Sequence, residues 1–111
     1  DLCKKDINKG NVHSIGCAPD WRRRGAVYEV PYQALYNRKA VNIIAAGRCI
    51  SSSGDSWEVT RVIPACAVTG QAAGTAAYLA LQTNRNFPDL DVEELQAILA
   101  NNGAIIHYKN V

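Results

Sequence analysis

The middle of this chain constrains its fold most: from Val62 to Asn84 there is no charged side chain, and much of the run is Ala, Gly, Thr and Gln. A stretch of that length is long enough to span a bilayer. These residues and Pro64, however, transfer weakly or unfavourably into hydrocarbon, so a helix buried in protein is the expected structure. Pro64 is tolerated only in a first turn, which sets the helix start near residues 61–64 and carries it to about Thr83. Gly70 and Gly74 lie one turn apart on one face, among Ala65, Ala67, Ala72, Ala73, Ala76 and Ala77. Each internal Gly costs roughly 0.5–1 kcal/mol against Ala, so the pair predicts a close packing partner on that face.

Just upstream, Val41 to Ala46 is almost continuously apolar and stops at Gly47, the pattern of a strand covered on both faces, as in a parallel sheet. Ala26 to Val30 has strand composition and Pro31 ends it by lacking a ladder donor; Tyr32 to Tyr36 suits one helical turn. Cys49 to Trp57 reads as a Ser/Gly-rich loop, and residues 1–24 carry turn signals but no firm element. The last helix has the clearest local signature. Asp91 is an N-cap with Glu94 completing a capping box, Leu90 staples onto Leu95, and Asn102-Gly103 supplies a left-handed stop. Val92, Leu95, Ile98 and Leu99 form its apolar stripe, the Glu93/Gln96/Asn101 side is wet, and Ala104-Ile105-Ile106 follows as an edge strand or extended tail.

The chain has 111 residues, 48% apolar and 20% charged, which allows one modest core and excludes disorder as a description of the whole. Twelve basic against ten acidic side chains leave a charge of +2, with a local excess only at Arg22-Arg23-Arg24 and Lys4-Lys5, too little for a nucleic-acid footprint. Cys3, Cys17, Cys49 and Cys66 include no C-x-x-C pair and are accompanied by only two histidines, so no metal site is expected. Four reduced thiols in a cytoplasmic protein is the preferred assignment, with a disulfide-stapled secreted domain as the alternative. The sequence contains no Met and opens on Asp1-Leu2-Cys3, which suggests a chain excised from a longer protein.

A strand ending in Ala46-Gly47-Arg48, a polar loop, and a helix whose first turn lacks large side chains suit a ligand. N–H groups at a helix N-terminus are unsatisfied and carry about half a positive charge in aggregate, enough to hold an anion or an electron-rich carbonyl. The stretch Asn42-Ile-Ile-Ala-Ala-Gly-Arg-Cys-Ile-Ser51, followed by Thr60-Arg-Val-Ile-Pro-Ala-Cys-Ala-Val-Thr-Gly-Gln-Ala-Ala-Gly-Thr-Ala-Ala77, resembles the carboxy-terminal part of FAD-dependent oxidoreductases of the glutathione-reductase-like superfamily. Asp20 to Tyr32 and Leu90 to Leu95 resemble it too, so the likeness covers residues 15–106 and leaves 1–14 as an unassigned lead-in.

The resemblance implies that an amino-terminal half, outside this sequence, supplies the G-x-G-x-x-G unit that grips the dinucleotide; Gly10, Gly16, Gly25 and Gly47 are isolated and do not form it. It further implies that Ala46, Gly47 and Arg48 pass near the ribityl and pyrophosphate, and that Arg61, Pro64, Ala65, Cys66 and Ala67 face the isoalloxazine. Arg48 stands where many relatives carry an acidic ribityl ligand. Arg61 is either a partner for flavin or an acidic substrate, or a helix-start arginine paired with Asp55 or Glu58. Cys49 and Cys66 are expected to pack rather than to form a redox pair, His13 and His107 to lie on the surface, Arg22–Arg24 to be a solvated turn, and Trp21 and Tyr28 to be candidates for a substrate entrance.

The expected fold class is α/β, or α+β as an isolated fragment: a few short strands, a long Gly/Ala-rich helix and a second, capped helix. Alone, the chain is expected to be inactive, to hold FAD poorly and to self-associate through strand edges or a helix face. The competing assignment is a stand-alone interaction module using the small-residue helix face.

Overall fold

A computed structural model describes residues 1–110. It is α+β, with strands β1 (Ser14–Pro19), β2 (Val27–Pro31), β3 (Tyr36–Asn37) and β4 (Ala40–Ile44), and helices α1 (Asp55–Thr60), α2 (Ile63–Thr83) and α3 (Val92–Asn101). β1 and β2 form one antiparallel pair, from Ser14 opposite Pro31 to Pro19 opposite Val27; β3 and β4 form another.

The core lies between the β1–β2 hairpin, α2 and α3. Ile15, Ala18, Tyr28 and Val30 meet Ala65, Ala72, Ala76 and Leu79 of α2 and Leu95 and Leu99 of α3. Small side chains on this face of α2 let the hairpin come close. Gly16 shows how close, because a Cβ there would collide with Val68, and its φ of +150° is one that side-chain-bearing residues rarely adopt. α3 is tied to β1 by Gln96, whose Nε2 donates to the carbonyls of Val12 and Ser14 at 2.9 Å. Tyr32 Oη donates to the carbonyl of Phe87 at 2.9 Å and joins the turn after β2 to the turn before α3.

Several expectations hold at the level of single residues. α2 starts and ends as Pro64 and the charge-free run predict. Pro31 closes β2, and Asp91 caps α3 by accepting from the N–H groups of Glu93 and Glu94. Gly103, at φ +85°, makes the left-handed stop.

Others are corrected. The apolar strand before Gly47 is β4, antiparallel to β3 and exposed at Val41 and Ile43 rather than covered on both faces. Its apolar run reflects surface that no element of this chain covers. Part of the expected 49–57 loop is helix α1, because Asp55 and Glu58 suit a first turn after Gly54. The stretch 1–24, expected to hold no firm element, contains β1, whose Gly, Cys and Pro hide its alternation. Gln96 clamps β1 instead of facing water. Most consequentially, α2 is buried on one face only: a Cβ at Gly70 or Gly74 would meet nothing within 4 Å.

Gly16→Ala is therefore expected to lower stability by about 2 kcal/mol from overpacking and backbone strain. Adding Val68→Ala recovers part of it, leaving the strain; urea unfolding of both variants measures the difference.

Candidate functional site

The eight candidate residues fall into four groups around the start of α2. Ala46, Gly47 and Cys66 form a contact in which the turn after β4 meets the first turn of α2. Gly47 has φ +64°, and a Cβ on it would sit 3.4 Å from Cys66 Sγ. Its N–H donates to Thr69 Oγ1 at 2.8 Å, while that hydroxyl donates to the Ala65 carbonyl at 3.0 Å. Buried Thr69 thus pins the strand-end turn to the helix. Ala65 belongs to the core. Pro64, Ala67 and Arg48 are exposed, and Arg48 makes no ion pair among the described residues.

Arg61 lies at the end of α1. Its Nε and Nη2 donate to Glu58 Oε2 at 2.8 and 2.5 Å, and the guanidinium sits 5.4 Å from the centre of the Trp57 ring. This is the Glu58 pairing, and it leaves little unbalanced charge. The N-terminus of α2 has no side-chain cap. Val62 at the N-cap has no side chain to accept from it, and Pro64 brings no N–H. Beside it Pro19, Trp21, Val62, Pro64 and Ala65 line an apolar cleft of about 190 Å³. Trp21 lines this cleft, whereas Tyr28 is wholly buried.

Pro19 also borders a larger cavity of about 380 Å³, lined by Ile15, Gly16, Cys17, Val27, Val68, Gln71 and the tail residues Gly103 to Ile105. The unassigned β1 hid this cavity from sequence reasoning. Burial, and then the neighbouring Glu29 carboxylate, push the Cys17 thiol up to about 11, so it stays protonated and unreactive at neutral pH. All four cysteines are free; Cys49 is exposed rather than packed, and Cys66 is half-buried.

Two buried carboxylates hold this end together. Asp20 receives both Nε and Nη2 of Arg22, at 2.9 and 3.1 Å, and that pairing lowers its pKa. With Arg23 on Asp55, two of the three arginines of the run are ion-paired. Glu29 is buried and accepts from the Asn11 N–H at 2.6 Å and the Tyr108 N–H at 3.0 Å, with His107 Nδ1 3.0 Å away. Burial alone would raise Glu29; these hydrogen bonds outweigh it and hold the carboxyl below its ordinary 4.5. His107 is therefore not a plain surface residue: it helps fasten the tail to β2. His13 meets Gln33 on the surface.

An uncapped helix terminus, a glycine turn pinned beside it and an apolar cleft lie together at this end of the molecule. The family model for FAD-dependent oxidoreductases matches residues 7–99, and the chain belongs to that family. No curated protein and no solved structure matches it. No described helix is long and apolar enough to cross a membrane, and no group of potential metal ligands occurs among the described residues.

Because Glu29 and Asp20 titrate lower in the folded chain than unfolded, their stabilisation is complete above pH 4.5 and is lost as pH falls through the folded values. Thermal unfolding from pH 7 to pH 3 is expected to show the loss concentrated below pH 4.5. Glu29→Gln should be about 1–3 kcal/mol less stable at pH 7 and show a shallower acid loss.

Proposed function

We propose that this chain is the flavin-facing, carboxy-terminal portion of an FAD-dependent oxidoreductase of the glutathione-reductase-like superfamily, and that other residues of a longer parent supply the phosphate-gripping unit. The observation that carries this reading is the uncapped N-terminus of α2, inside the family-matched segment and beside the Gly47 turn. The absence of G-x-G-x-x-G from the sequence supports the second half of it.

FAD, when bound, supplies hydride and electron transfer. The chain's own part would be to set the uncapped start of α2 beside the electron-rich edge of the ring, where the helix dipole favours the negative charge of the reduced form. Pro64 and Ala67, exposed and small, would border the ring, Ala46 and Gly47 would border the ribityl chain, and Arg48 would lie toward the phosphates. Ala65 and Cys66 support that surface from beneath. Arg61, neutralised by Glu58, shapes the rim by stacking on Trp57. The four free cysteines support a reducing, cytoplasmic setting. A second reading, an interaction module, is favoured by the exposure of the Gly70/Gly74 face.

The test joins the chain to a G-x-G-x-x-G half encoded upstream in its gene. The joined protein is expected to purify yellow, and the isolated chain to take up little FAD in a fluorescence titration; a colourless joined protein that ignores added FAD refutes the reading. Within the yellow protein, Ala67→Trp is expected to weaken FAD binding about tenfold, roughly 1.4 kcal/mol, without changing the melting temperature of the apo form. Ala65→Trp, placed in the core, is expected to prevent folding.

A further inference from the structure

The chain that follows α3 is held to the molecule by side chains. Backbone hydrogen bonds tie Asn102, Gly103 and Ala104 back to α3, and among the described residues none ties 105–108 to a strand or another helix. From there on, the fastenings end on side chains of the β1–β2 hairpin. Ser14 Oγ donates to the Ile106 carbonyl at 2.6 Å and Cys17 Sγ donates to the same oxygen at 3.7 Å. Glu29 accepts the Tyr108 N–H at 3.0 Å and lies 3.0 Å from His107 Nδ1. Cys17 and Glu29 stand opposite one another in the hairpin register, so these ties gather at one place on it.

The same segment walls the cavity of about 380 Å³, to which it contributes Gly103, Ala104 and Ile105 beside Cys17, Val68 and Gln71. Of residues 104–109 only Ile106 is buried. A segment with one buried side chain and few bonds opens at a lower free energy than the core on which it rests. Gly103 sits at φ +85° with open space where a Cβ would point, so the link between α3 and the tail can turn without disturbing a packed neighbour. The Ile106 carbonyl and the Glu29 carboxylate are each shared by two ties, which favours release of the segment as a unit over release of one bond at a time.

We propose that residues 104–109 form a strap that swings about Gly103 as one unit while the hairpin, α2 and α3 stay folded, with Ser14 and Glu29 as its two catches. Closed, the strap walls the cavity and holds a carbonyl oxygen against the Cys17 thiol. Open, it admits solvent to the cavity and frees the thiol. Its catches are side chains that the flavin reading does not use, and the inference stands without that reading.

Amide exchange of the whole chain at neutral pH, read residue by residue by NMR, separates such a strap from general loosening. After correction for intrinsic rates, the Tyr108 amide is expected to exchange at least about 100-fold faster than that of Ala76, on the buried face of α2. Its rate should stay flat in low urea while that of Ala76 climbs, because a small opening exposes little surface. Ser14→Ala removes one catch and leaves the charge beside Cys17 unaltered. It is expected to speed Tyr108 exchange about fivefold, and alkylation of Cys17 by iodoacetamide, measured by peptide mass spectrometry, by the same factor. A Tyr108 amide that follows Ala76 in urea would mean that the tail lifts only when the core unfolds, and one that exchanges at the unprotected rate would mean that no closed strap exists; either result overturns the proposal. So does Cys17 alkylation that ignores Ser14→Ala, because the strap then does not guard the thiol.

Discussion

The structure depends on how closely α2 approaches the β1–β2 hairpin. The buried face of α2 carries Ala65, Thr69, Ala72 and Ala76, side chains short enough to bring the hairpin near, and Gly16 on β1 removes the last obstruction in front of Val68. Close approach in turn permits the polar fastenings. Thr69 reaches from within the helix to the N–H of Gly47, so the turn that follows β4 is held by the same helix that organises the core. Packing and candidate site are thus one piece of geometry, and a larger residue at Gly16 disturbs both.

A second constraint is the buried carboxylate of Glu29. A carboxylate out of water is costly unless its lone pairs are satisfied, and here they are satisfied by groups from both ends of the chain, Asn11 on one side and His107 and Tyr108 on the other. The Ser14 hydroxyl adds a 2.6 Å bond to the Ile106 carbonyl. The tail therefore serves as a wall of the apolar cavity beside Cys17 instead of trailing from α3. Glu29 is legible in sequence only as a polar residue in a strand; its partners are far away along the chain.

Membership of the FAD-dependent oxidoreductase family and the proposed half site fit together in physical terms. A helix terminus and small residues stabilise charge on a ring but hold no pyrophosphate, and the chain shows the first set of groups without the glycine loop for the second.

The sequence by itself determined what depends on neighbours along the chain. The limits of α2 follow from Pro64 and the charge-free run, the cap of α3 from Asp91, its stop from Gly103, and the family from the 42–77 stretch. Composition and periodicity also sufficed for a small α+β fold. Only the tertiary structure decided which way the two-sided elements face. Gly70 and Gly74 announced a close approach, but the same spacing serves packing within the chain or contact beyond it. The apolar run at 41–46 likewise reads as buried whether its cover lies in this chain or outside it. Arg61 had two carboxylates in reach and took Glu58, and β1 stayed hidden because Gly16 and Cys17 interrupt its alternation. Local propensity fixes an element's kind and limits; its partners are set by which surfaces the rest of the chain can reach.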